Sequence, residues 1–180
     1  MKRLLHITLV IVAAVSTSGF FVALSFAEKC KKADLIVRAV VIRTVEFFPK
    51  IEEYDRSREI VIDGVPTTKV QILRVVEIAK GAADVVPALI YLPGGYTNNL
   101  GETPPDFAQG TDVVVFLRKM GEGYYALLDP LSYDEVRGDK VVPARSVNLS
   151  KDEDEWTYWR KNGISTRAYI EKIRDEIKNG

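Results

Sequence analysis

Five apolar segments rich in β-branched and aromatic residues lie between residues 34 and 128, each bounded by turn residues, and the last 35 residues change to a helical period. These two observations predict a mainly β fold: a five- to six-stranded OB-like closed barrel with one or two C-terminal helices. A third observation, the apolar N-terminus, divides the chain into residues 1–27 as a signal peptide or uncleaved anchor, 28–145 as the barrel, and 146–180 as a helical segment packed on it.

The N-terminal segment opens with Met1, Lys2 and Arg3, continues with the apolar residues 4–15 (LLHITLVIVAAV), and offers small residues at Ser25 and Ala27, the two positions a signal peptidase reads. Cleavage after Ala27 is expected, and Gly19 also favours it. The competing reading keeps residues 4–27 as an anchor, because about 24 residues at roughly 1.5 Å each can cross a bilayer. The expected location is secreted, periplasmic or cell-envelope, with membrane contact only if the segment stays uncleaved. Cleavage would remove two of the 25 basic side chains and none of the 25 acidic ones, leaving a formal charge of −2. That balance gives no attraction to polyphosphate, and no local basic patch replaces it, so no nucleic-acid partner is expected.

The single histidine, His6, falls in the removable segment. Ser-His-Asp and Cys-His nucleophilic sites, the H-E-x-x-H helix and histidine-containing zinc or haem sites are thereby excluded. No metal or other cofactor is expected. The single cysteine, Cys30, cannot form an internal disulfide, so the apolar core must carry stability. It also follows Glu28 and Lys29, where a lipid-modification site needs small apolar residues.

Along the barrel, residues 34–48 (DLIVRAVVIRTVEFF) place Leu35, Val37, Ala39 and Val41 on one phase and Arg38, Thr44 and Glu46 on the other; a strand this long is expected to curve. A polar link (PKIEEYDRSR) leads to REIVI, an Asp63-Gly64 turn and TTKVQILRVVEIAKG, which reads as a hairpin. The phase breaks at Leu73-Arg74, predicting a β-bulge or sharp bend there. Residues 85–92 and 112–118 supply two more strands, with Pro87 marking an edge position or an irregular start. Gly121-Glu122-Gly123 begins a G-x-G-x-x-A match, but with strands on both sides it reads as a hairpin turn into YYALLD, not a dinucleotide site. Residues 139–143 can add a last short strand. Ser150-Lys151-Asp152-Glu153 is a capping box that predicts a helix over about 151–162, stopped at Gly163; a second is expected from after Ser165 to about Lys178, with Tyr169, Ile170, Ile173 and Ile177 on one side. The acidic run 152–155 reads as helix-start electrostatics, and Trp156 and Trp159 as pins holding the first helix to the barrel.

Cys30-Lys-Lys-Ala-Asp-Leu-Ile-Val-Arg-Ala resembles the first-strand motif of the tissue inhibitors of metalloproteinases and their netrin-like relatives. Asp63-Gly64-Val65-Pro66, the Lys69-to-Glu77 strand and Lys80-Gly81 resemble that family's hairpin and second strand, and residues 89–95 (LIYLPGG) and 113–118 its third and fourth. The likeness spans roughly residues 30–130 and implies an OB-like barrel. In those inhibitors the mature N-terminus is a disulfide-held cysteine whose amine and carbonyl chelate the protease's zinc. Here the expected first residue is Glu28, and Cys30 corresponds to a later cysteine of the motif.

The 18 residues 93–110 (PGGYTNNLGETPPDFAQG) form a loop long enough to carry function, and its first part falls where the resembling inhibitors touch a protease. Glu28, Cys30, Gly94, Gly95, Tyr96, Thr97 and Asn98 are therefore the candidate partner contacts, with a solvated connection anchored by Phe107 as the plainer reading of the loop. The function expected is a non-enzymatic exported module that binds a protein. The alternative is an inhibitor or regulator of an extracellular metalloprotease. An enzyme using Glu52, Glu53 and Asp55 is the third reading, although those carboxylates sit in a polar link where solvation explains them.

Overall fold

A computed structural model describes residues 24–47, 60–62, 65–82, 86–94, 105–120, 124–143 and 153–179. In chain order the elements are α1 (Phe26–Lys32), β1 (Leu35–Glu46), β2 (Ile60–Ile62), β3 (Val65–Thr67), β4 (Lys69–Lys80), β5 (Leu89–Gly94), β6 (Asp112–Lys119), β7 (Tyr125–Leu127), β8 (Tyr133–Arg137), β9 (Lys140–Val142), α2 (Glu153–Asn162), β10 (Ile164–Ser165) and α3 (Thr166–Asn179). Eight strands form one antiparallel sheet in the order β10-β9-β8-β6-β1-β4-β5, with β7 also on β6, while β2 and β3 make a separate hairpin.

Alternation in β1 sends side chains to two different cores. Leu35, Val37, Ala39 and Val41 join Leu73, Ile90, Leu92, Phe107, Val113, Val115, Leu117 and Tyr125 on the inner face. Ile36 joins Val114 and Phe116 of β6, Phe26 and Cys30 of α1, and Tyr169, Ile170 and Ile173 of α3 on the outer face. The run Val113 to Leu117 is apolar without interruption because β6 is buried on both sides. The expected C-terminal helices are present: Gly163 stops α2 at φ +71°, and the Ser165 hydroxyl accepts a hydrogen bond from Ala168 N–H at the start of α3. Trp159 packs partly buried against the outer core, with the Lys172 ammonium 4.9 Å from its ring centre.

The expected closed barrel is corrected: the sheet is open. β6 divides one edge between two short partners, Leu117–Lys119 pairing with β7 and Asp112–Val115 with β8. β7 has only three residues, and among the described residues one parallel bridge, from Tyr91 of β5 to Tyr124 just before β7, joins this end of the sheet to β5, with the rings 5.7 Å apart. Pro93, which has no N–H to donate, further limits pairing along β5.

The expected irregularity near Leu73-Arg74 lies instead on neighbouring positions. Leu73 pairs with Val41 and Ile72 with Arg43, so the extra residue opposite them is Ile42 of β1, and further register shifts skip Val76 and Ala79 of β4. Arg74 points outward and Leu73 inward in ordinary alternation. Three elements are absent from the sequence expectations: β8, the two-residue β10, and α1, in which Ser25 serves as N-cap. The Gly121-Glu122-Gly123 turn lies outside the described residues, but β6 and β7 on either side pair antiparallel, as a hairpin requires. Glu52, Glu53, Asp55 and Trp156 lie outside the described side chains.

Candidate functional site

The loop singled out by length is described at its two stems, and both are fastened to the beginning of β4. On the outgoing side, Gly94 pairs with Lys69, and its carbonyl accepts from Thr68 N–H at 3.2 Å. On the returning side, the Gln71 amide group donates to the Pro105 carbonyl at 2.9 Å and accepts from Phe107 N–H at 2.9 Å. Asp106 between them accepts from the Lys69 ammonium at 2.6 Å. Phe107 is buried edge-on against the Tyr133 ring, 4.9 Å between centroids. A buried primary amide is costly unless both its ends are satisfied. Gln71 is 2 % exposed and meets that condition only because the loop returns across it.

Of the sequence candidates, Gly94 is buried at this stem, and Gly95, Tyr96, Thr97 and Asn98 lie outside the described residues. Glu28 is exposed on α1, where its carboxylate accepts from Ser25 N–H at 2.9 Å; that bond is the main reason its pKa falls. Cys30 is fully buried, and burial pushes its thiol up to about 12, with Glu176 adding to the effect. A thiol so protonated is neither a nucleophile nor a soft metal ligand at neutral pH. Its carbonyl accepts from Lys80 at the far end of β4 from Lys69. Twelve extended residues cover roughly 35 Å, so Glu28 and Cys30 are not brought beside Gly94. Among the described residues, no group of three or more His, Cys, Asp and Glu side chains is placed to hold a metal ion.

A second concavity, of about 680 Å³, is lined by Arg38, Glu77, Asp139, Arg167, Glu171 and Arg174 among others. Its arginines are answered from within the fold. Arg38 pairs with Asp112 at 2.7 Å, the contact that raises its pKa, while Arg174 pairs with Glu77 at 3.2 Å and Arg167 with Glu171 at 3.1 Å. The bonds from Arg174 to Glu77 and to the Ile78 carbonyl tie α3 to β4, which accounts for this cleft as a staple.

Sequence reasoning missed Gln71, Asp106 and the buried polar group under α1. There the Lys29 ammonium donates to the Leu131 carbonyl at 2.6 Å, and burial lowers its pKa against the opposing pull of Asp129 and Asp134. The Tyr169 hydroxyl donates to Asp134, and burial first and that carboxylate second raise the tyrosine pKa. One signal was available: Gln71 shares the inward phase of Leu73 and Val75. No known family profile matches the chain, and no curated protein matches its sequence.

Proposed function

We propose that this protein is an exported, non-enzymatic binding module with an OB-like strand order, which meets a protein partner through the loop that follows β5. The clamp of both loop stems onto Lys69 and Gln71 carries this reading. A loop of this length held only at its ends loses much conformational entropy when a partner orders it; fastening its stems to one strand reduces that cost in advance. The sequence β1-β4-β5, with β7 beside β6 and the parallel bridge from Tyr91 of β5 to Tyr124 just before β7, supports an OB-like order. The buried, protonated Cys30 and the internally paired arginines of the cleft favour recognition over chemistry. The test replaces residues 95–104 by a Gly-Ser linker of equal length in the tagged full chain. Envelope and culture-fluid proteins captured by the parent should be lost with the linker variant. A parent that captures nothing, or a partner retained by the variant, would refute the proposal.

A further inference from the structure

The stretch that reads as a cleavage site in the sequence is, in the fold, the start of a helix that closes the outer core. Ser25 accepts from Glu28 N–H at 3.2 Å, and Glu28 accepts from Ser25 N–H in return, a complete capping box. The Ser25 carbonyl accepts from Lys29 N–H at 2.9 Å, the first bond of the helix. Phe26 is 5 % exposed, with its ring 6.2 Å from Phe116 and 5.7 Å from Tyr169. One turn on, Lys29 is tied to Leu131 and lies against the Phe116 ring, and Cys30 is fully buried. Cleavage after Ala27 would remove the cap, the ring and the first helical bond together. It would also place a new charged amine on Glu28, at the positive end of the helix dipole, where a cation is disfavoured.

We propose that residues 25–30 stay with the folded domain, so that processing, on the export reading on which this inference rests, takes place upstream of Ser25 or not at all. The consequence reaches the inhibitor alternative. The α-amino group at residue 28, which a zinc-chelating N-terminus at that position would need, is never formed; residue 28 keeps a peptide N–H already bonded to Ser25.

The test expresses the full chain with a C-terminal tag in an exporting bacterial host and reads the N-terminal residue of the folded product by mass spectrometry. Protease accessibility of the tag in spheroplasts reports export separately. An exported product beginning at or before Ser25 is expected, and one beginning at Phe26, Ala27 or Glu28 overturns the proposal. Phe26→Ala in the same chain gives a readout that does not depend on export. It should lower the thermal midpoint by roughly 6–20 °C, and the milder Phe26→Leu by roughly 2–8 °C if the alanine variant does not fold. Unchanged midpoints overturn the proposal, because a residue that has been removed or left unpacked cannot affect stability. A shielded tag would defeat the export reading alone, leaving the Phe26 variants to decide the retention of α1.

Discussion

Gln71→Leu tests the loop clamp directly. Leucine nearly matches glutamine in size and suits a buried strand position, so packing is kept while both amide bonds disappear. The bonds to Pro105 and from Phe107 are each worth about 1 kcal/mol net, and both measure 2.9 Å. Phe107 is buried, so its N–H loses its acceptor without gaining water, which costs about a further 1–3 kcal/mol. Against this, the apolar side chain regains about 1 kcal/mol by burial. The net loss is about 2–4 kcal/mol, a fall in thermal midpoint of roughly 4–16 °C. Hydrogen exchange locates the effect: the Phe107 amide, left without its acceptor, should lose more protection than the amides in β1 and β6, which change only by the global loss. Gln71→Glu sharpens the test. It keeps the acceptor for Phe107 but buries a carboxylate, whose pKa burial raises. The folded state then holds a proton that the unfolded state releases, so this variant's deficit should be small near pH 4 and grow as pH rises toward 7. A Gln71→Leu protein with an unchanged midpoint and an equally protected Phe107 amide would refute the clamp.

Tyr169→Phe removes the hydroxyl that donates to Asp134 inside the outer core. A bond to a charged group is worth about 1.5–3 kcal/mol, and the urea midpoint should fall accordingly without a change in m; a midpoint within error of the parent would count against it. Cys30 has a folded pKa raised from 9.0 to about 12, so the folded chain retains a proton that the unfolded chain loses. Its contribution is intact below pH 9 and is lost as pH rises from 9 to 12. Between pH 9 and 10.5 the parent should lose about 2 kcal/mol more than Cys30→Ala, the other titrating groups being common to both; parallel pH profiles would show that the thiol is not buried as described.

What the sequence reveals and what it hides divide along a physical line. β1 was legible because Leu35, Val37, Ala39 and Val41 are apolar, in phase and all buried, so local pattern and packing agree. β8 was hidden because its inward residues are Asp134 and Val136, and a buried aspartate looks like surface until its partner Tyr169, 35 residues away, is known. Gln71 was missed for the same reason, its partners lying at residues 105 and 107. α1 was obscured because Phe26 and Ala27 continue an apolar run, which reads equally as a leader and as a helix start. Barrel closure depends on whether β5 and β7 form a ladder, and among the described residues they are joined by one bridge, at Tyr124 just before β7; no local pattern encodes that count.

The outer core also bears on the division at residue 145. Residues 146–180 follow the main strands in sequence, yet Tyr169, Ile170 and Ile173 are fully buried against Ile36, Val114 and Phe116, which belong to the central strands of the sheet. The inner face of those strands is covered by the sheet's own residues, whereas the outer face depends on α1 and α3. Cutting the chain after Val142 therefore removes more than an appendage. At about 2 kcal/mol for each fully buried aliphatic or aromatic side chain, the three α3 residues alone account for about 6 kcal/mol, comparable with the whole stability of a domain this size. The Tyr169–Asp134 bond would be lost with them, leaving Asp134 and Lys29 beside an opened core. A chain ending at Val142 should show no cooperative unfolding and should bind a hydrophobic dye, whereas the full chain should unfold in one step and leave the dye unbound. If the shortened chain unfolds cooperatively at the parent's midpoint, the inner core suffices and the two-core account of this fold is wrong.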